Sequence, residues 1–162
     1  MPRLDKRVLV RTLVADLEAE IAVLTAAARS AHEAATHEEA KPENDKDTRS
    51  VEAAYLAGAQ AERVRDLERV ASALSTLPLK EFGEADDIAV SAIVEVAVRG
   101  ARQWCFLARD GGGRKARVGA VEIQVVTPVS PLGEALVHAR QGDVVEVTTP
   151  AGVREYEICS VQ

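Results

Sequence analysis

A run of apolar residues from Val10 to Ala35 keeps a strict four-three spacing: Val10, Val14, Leu17, Ile21, Leu24, Ala28, Ala31 and Ala35. Such spacing places one narrow stripe along a helix and demands a partner helix to cover it, so it predicts the seam of a coiled coil. The stripe shrinks from Val, Leu and Ile to Ala, which lets a partner approach more closely toward the far end. Pro42 interrupts the pattern, because it lacks a backbone N–H and restricts the residue before it. The helix is expected to restart near Thr48 or Ser50 and to offer Ala53, Leu56, Gln60, Arg63, Leu67, Val70 and Leu74 as the facing seam, with Val64 able to stand in for Arg63. Pro78 ends it. Two helices of about 27–35 residues, at about 1.5 Å per residue, make a rod roughly 40–50 Å long.

The bend between them, Thr36 to Ser50, holds five acids (Glu38, Glu39, Glu43, Asp45, Asp47) and three bases (Lys41, Lys46, Arg49). One reading is a solvated loop, since charges gather at turns. The other is a carrier of carboxylates, brought on a thin rod into a deep cavity where they share a hard cation such as Mg²⁺, which favours oxygen ligands.

Beyond Pro78 the period changes to two. Strands are expected over 88–98, 103–108, 118–126, 144–148 and 153–161, with Gly111-Gly112-Gly113 as a turn. Ser130 is placed to cap a short helix opened by Pro131, the favoured first helical residue. The fold class expected is α+β: an antiparallel helical hairpin over 1–78, then an antiparallel sheet with one helix over 79–162.

Composition narrows the function classes. The net charge of −6 disfavours sequence recognition of duplex DNA, which needs a basic footprint. No apolar run reaches the length of a bilayer span, and the first residues lack a signal-peptide core, so a cytoplasmic protein is expected. Cys105 and Cys159 sit in apolar strands and read as free thiols, and the three histidines lack ligand spacing. Gly111-Gly112-Gly113-Arg114-Lys115 has no Ser or Thr after the lysine, so it is not a phosphate-binding P-loop, although Arg114, Lys115 and Arg117 remain able to meet a phosphate or an acidic surface. Ser130 lacks a nucleophile elbow.

The stretches Ser130-Pro131-Leu132-Gly133-Glu134-Ala135-Leu136, Gly142-Asp143-Val144-Val145-Glu146-Val147 and Thr149-Pro150-Ala151-Gly152-Val153-Arg154-Glu155-Tyr156-Glu157-Ile158 resemble the C-terminal domain of bacterial Gre-type transcript-cleavage factors. Glu52-Ala53-Ala54-Tyr55 and Arg63-Val64-Arg65-Asp66-Leu67-Glu68 are similar to the second hairpin helix of that family. The resemblance implies a C-terminal domain like that of the FK506-binding proteins, docking on RNA polymerase through Ser130 and Pro131. It implies a hairpin entering the secondary channel, near the 3′ end of the nascent RNA. The factor is not itself an enzyme: tip acids help hold a catalytic Mg²⁺ that the polymerase shares, and polymerase cuts the backtracked RNA. The family's Asp-Leu-Lys-Glu-Asn tip is matched only by Glu39-Ala40-Lys41-Pro42-Glu43-Asn44, with an inserted proline. Asp45 and Asp47 form an equally good acidic pair. Glu43, Asp45 and Asp47 rank above Glu39 because they lie beyond the proline, and Asp45 and Asp47 are the expected Mg²⁺ ligands in the polymerase complex. The altered tip leaves open a relative that inhibits or modulates polymerase without stimulating cleavage. A prolyl isomerase and a coiled-coil adapter are the other classes.

Overall fold

The computed structural model describes residues 3–38 and 46–162. Helix α1 spans Lys6–Glu38 and helix α2 Lys46–Ser75, so α2 begins earlier than the expected Thr48 or Ser50. Asp5 caps α1: its carboxylate accepts from the backbone N–H groups of Arg7 (2.8 Å) and Val8 (3.2 Å), two donors that lack partners inside the helix. The chain forms two compact units, Val14–Ser72 and Met1–Leu13 with Ala73–Gln162. The first turns of α1 and the end of α2 thus belong with the strands, unlike the division at residue 78.

In the helical unit, Leu17 and Leu67 are buried, and the Glu20 carboxylate pairs with Arg63 at 3.3 Å. Ile21, Leu24 and Ala28 are half-buried on α1, as are Gln60, Val64 and Val70 on α2. Val64 takes the place of Arg63, which is exposed, because a valine tolerates the seam and a guanidinium reaches water. Ala31 and Leu56 are exposed, so the seam covers less than the spacing predicts.

In the other unit, Leu9 and Leu13 are more deeply buried (0% and 1% exposed) than the seam residue Val10 at 8%. Here α1 needs a wider apolar face than the two-residue seam of a coiled coil. Lys6 is buried on the same turn. Its ammonium donates to the Lys80 carbonyl and lies 4.8 Å from the centre of the Phe82 ring. Burial lowers its pKa to about 8, against the pull of Glu81. Between pH 8 and 10.5 the unfolded chain therefore binds more protons at this site than the folded one, and stability contributed here rises with pH across that window. The Lys6 contribution to the unfolding free energy, read by urea titration, should rise by on the order of 1–3 kcal/mol from pH 8 to 10, opposed above about pH 9 by the Cys105 thiol, whose raised pKa works in the other direction. Lys6→Met should remove that part of the slope, and an unchanged slope would contradict the assignment.

The strands are β1 (Ile93–Val98), β2 (Ala101–Leu107), β3 (Lys115–Val118), β4 (Val121–Val126), β5 (Val144–Thr149) and β6 (Gly152–Val161), with helix α3 (Pro131–Leu136) between β4 and β5. They form one open sheet in the order β3-β4-β2-β1-β6-β5. The sheet is mixed, which corrects the expectation of a purely antiparallel one: β2 and β4 run parallel, with Trp104 opposite Ile123 and Phe106 opposite Val125. The cause is β3, a strand the sequence reading passed over. It forms a tight hairpin with β4 through Gly119 (φ +60°) and Ala120. Strand β4 carries Ile123, Val125 and Val126, all buried, whereas β3 buries only Ala116. The apolar strand takes the interior position and the basic one the edge. Residues 108–120 are long enough for the crossover that a parallel neighbour needs.

One face of the sheet packs with α3 around Val94, Val96, Leu107, Val126, Leu136, Tyr156 and Ile158. The other presents Ile93, Phe106, Ile123 and Val125, each at most 1% exposed. Ile88 exchanges backbone hydrogen bonds with the end of α3, donating to Ala139 and accepting from His138 (both 2.9 Å). This ladder anchors α3 against the chain leading into β1. No described helix is long and apolar enough to cross a membrane.

Candidate partner-docking site

The expected cap is formed at α3. Ser130 has an extended backbone (φ −79°, ψ 153°), and its hydroxyl oxygen accepts from the Gly133 N–H at 3.2 Å. The hydroxyl donates in turn to the Thr127 carbonyl at 2.7 Å, which also accepts from the Ser130 N–H at 2.9 Å. Both hydrogen-bonding roles of the Ser130 side chain are thus occupied within the loop. Ser130 fixes the geometry, and the exposed surface of the loop comes from its neighbours. Pro131 is exposed, and Val129 is 89% exposed. Sequence reasoning missed Val129, although a signal was available. A hydrophobic residue just before an N-cap usually packs against the fourth residue of its helix. Here that residue is Glu134, which offers no apolar partner, so Val129 is left to solvent.

Gly133 makes the loop possible. A Cβ built on it would lie 1.9 Å from the Thr127 carbonyl oxygen, a backbone atom that cannot swing aside. The helix therefore keeps a glycine in its interior, at about 1 kcal/mol relative to alanine, so that the Thr127 carbonyl can sit over its first turn. Losing the Ser130 cap costs about 0.5–2 kcal/mol. Ser130→Ala should lower stability by that amount in urea unfolding, and a change below about 0.3 kcal/mol would contradict the cap assignment.

Beside Leu132 of α3, a cavity of about 480 Å³ opens on the sheet, walled by Gln103, Cys105, Lys115, Glu122 and Gln124. Burial pushes the Cys105 thiol up to about 11, so it stays protonated and inert at neutral pH. Cys105 and Cys159 are both free thiols. Of the aromatic residues, only Trp104 borders the cavity. Phe106 is wholly buried, Tyr156 lies in the core and Phe82 underlies Lys6. The aromatic-lined pocket expected of a prolyl isomerase is not formed there.

Glu39, Glu43 and Asp45 lie outside the described residues, and Asp47 falls in the first turn of α2. Among the described residues, no group of three or more His, Cys, Asp or Glu side chains is arranged to hold a metal.

Residues 118–162, which carry β4, α3, β5 and β6, match the family model described as transcription elongation factor, GreA/GreB, C-terminal. The part of the chain that holds the Thr127–Gly133 loop is therefore similar to the Gre type, as the motifs around Ser130 and Thr149 indicate. Solved structures with likeness include GreA factor homolog 1 (Gfh1) of Thermus thermophilus, at 18% identity over 92% of this chain and 94% of that one, with a TM-score of 0.37. Thermus aquaticus Gfh1 is 20% identical over 94% and 95%, with a TM-score of 0.39. A GreA/GreB elongation factor from Nitrosomonas europaea is 18% identical over 59% and 78%, with a TM-score of 0.36. A comparison with curated proteins gave no match. With global superposition this low, the match over residues 118–162 is the finding that bears on function.

Proposed function

We propose that this protein is a Gre-type elongation factor. It binds bacterial RNA polymerase through the α3 loop, carries its helical hairpin into the secondary channel and stimulates cleavage of backtracked RNA. The observation that carries the reading is the capped Thr127–Gly133 loop, lying inside the stretch that matches the Gre C-terminal domain. The loop presents Val129 and Pro131 as a small apolar knob, held in place by Ser130 and Gly133. Rigid apolar anchors suit docking, because little side-chain entropy is lost on binding.

The chain acts as an accessory and leaves bond cleavage to the polymerase. Glu43, Asp45 and Asp47 offer oxygen donors of the kind Mg²⁺ takes, one or two carboxylates at a time. A Mg²⁺ shared with the polymerase would supply activation and orientation of the attacking water. The carboxylates of this chain would add negative charge beside the RNA 3′ end, and the docked domain would fix how far the tip reaches.

A second reading keeps the docking and drops the cleavage. It is favoured by the tip itself, where Pro42 interrupts Glu39-Ala40-Lys41-Pro42-Glu43-Asn44 and the distance to Tyr55 is longer than in the family pattern. In that case the protein modulates or inhibits polymerase from the channel.

Docking is tested by competition with the unmodified protein for polymerase. Ser130→Trp with Pro131→Trp should weaken binding at least about tenfold while circular dichroism shows the helices intact. Binding equal to that of the unmodified protein would refute the assignment of this loop.

A further inference from the structure

Residues 93–126 hold six bases (Arg99, Arg102, Arg109, Arg114, Lys115, Arg117) against three acids (Glu95, Asp110, Glu122). This stretch is formally +3 within a chain of net −6. The fold concentrates part of that excess at one edge. Strand β3 is one of the two edge strands, with β4 on its inner side and, among the described residues, no strand on its outer side. Lys115 stands opposite Gln124 and Arg117 opposite Glu122, so these four side chains share one face. Lys115 and Arg117 share the single Glu122 carboxylate, at 2.9 and 3.9 Å, and remain 55% and 74% exposed. That leaves one positive charge in surplus along β3, beside the cavity that Lys115 and Glu122 help to wall. The walls of the cavity add two side-chain amides, Gln103 and Gln124, and the apolar Leu132 of the docking helix.

We infer that the cavity and the outer edge of β3 bind an acidic, extended peptide segment of the protein on which this domain docks. The segment would add to β3 as a further strand, giving its backbone to the unpaired edge and an Asp or Glu side chain to Lys115 and Arg117. Where the segment turns from the edge over the sheet face, the amides of Gln124 on β4 and Gln103 on β2 provide donors and acceptors for its peptide groups. A nucleic-acid strand fits less well. The cavity borders only one aromatic, Trp104, so bases lack stacking platforms, and a phosphodiester backbone has no use for an open strand edge. The inference rests on the docking role of the α3 face, since Leu132 belongs to both.

The test has two arms. In the first, fluorescence anisotropy follows a labelled ten-residue peptide of alternating Glu and Val, and a labelled ten-nucleotide polyuridine. The peptide should bind saturably to the full chain and weaken with salt. Lys115→Gln with Arg117→Gln should weaken it at least tenfold, whereas Lys115→Arg should not. In the second arm, the same double variant competes for polymerase and should also lose at least tenfold. If the unmodified protein fails to bind polymerase, the docking role falls, and the peptide arm alone then decides the inference. If peptide binding is absent or indifferent to the double variant, the inference is overturned. Tighter binding of polyuridine than of the peptide overturns it too, in favour of a nucleic-acid ligand.

Discussion

Replacing Asp45 and Asp47 together by Asn is expected to lower cleavage of backtracked RNA by about 10²-fold or more while polymerase binding survives. The substitution keeps side-chain size and removes two negative charges. Its effect therefore falls on electrostatic and acid–base work at the reacting centre, where losing one group typically costs about 10²–10³-fold. The Thr127–Gly133 loop lies in a different compact unit from the start of α2, in which Asp47 stands, so the two proposed functions should separate. Rapid-quench cleavage of stalled complexes, run beside a binding competition, measures both. Normal cleavage by this double variant and by Glu43→Gln would show that none of the three acids serves.

Gly133→Ala is expected to be the most damaging single-methyl change in the protein. The added Cβ would meet the Thr127 carbonyl oxygen at 1.9 Å, far inside van der Waals contact, and the obstacle is backbone. Relief requires moving Thr127 or the first turn of α3, and either movement breaks the hydrogen bonds that Ser130 makes to Thr127 and Gly133. Leu136, wholly buried three residues on, would shift with the turn. Destabilisation of at least about 3 kcal/mol is expected, in the range reserved for overpacking and cap loss combined. Polymerase affinity should fall with it. Thermal unfolding of Gly133→Ala within 2 °C of the unmodified protein would show that the loop yields freely.

These expectations differ in how far the sequence alone could carry them. Ser130-Pro131 was legible because a cap and a first-turn proline are local signals, decided within four residues. The burial of Leu17 and Leu67 was legible because a seven-residue repeat survives any detail of the partner. Leu9 and Leu13 were not, because their burial belongs to the unit containing the sheet and not to the coiled-coil period. Strand β3 escaped because Lys115-Ala116-Arg117-Val118 has only two apolar residues and its neighbour is chosen by the hairpin at Gly119. For the same reason the parallel pairing of β2 with β4 could not be read: strand order is set by which strand carries more apolar surface to bury. The function of Gly133 depends on a carbonyl six residues away that only the folded loop brings near. Val129 could have been found from Glu134, the missing half of a hydrophobic staple.

Whether this chain works through RNA polymerase is the central question. The most direct measurement adds the purified protein and Mg²⁺ to backtracked elongation complexes carrying RNA labelled at the 3′ end, and follows release of short labelled fragments. Release that rises with protein concentration, with no hydrolysis of free RNA by the protein alone, is the predicted result. Stable binding to those complexes with no fragment release above the polymerase's own rate would contradict cleavage stimulation and leave the modulator reading in its place.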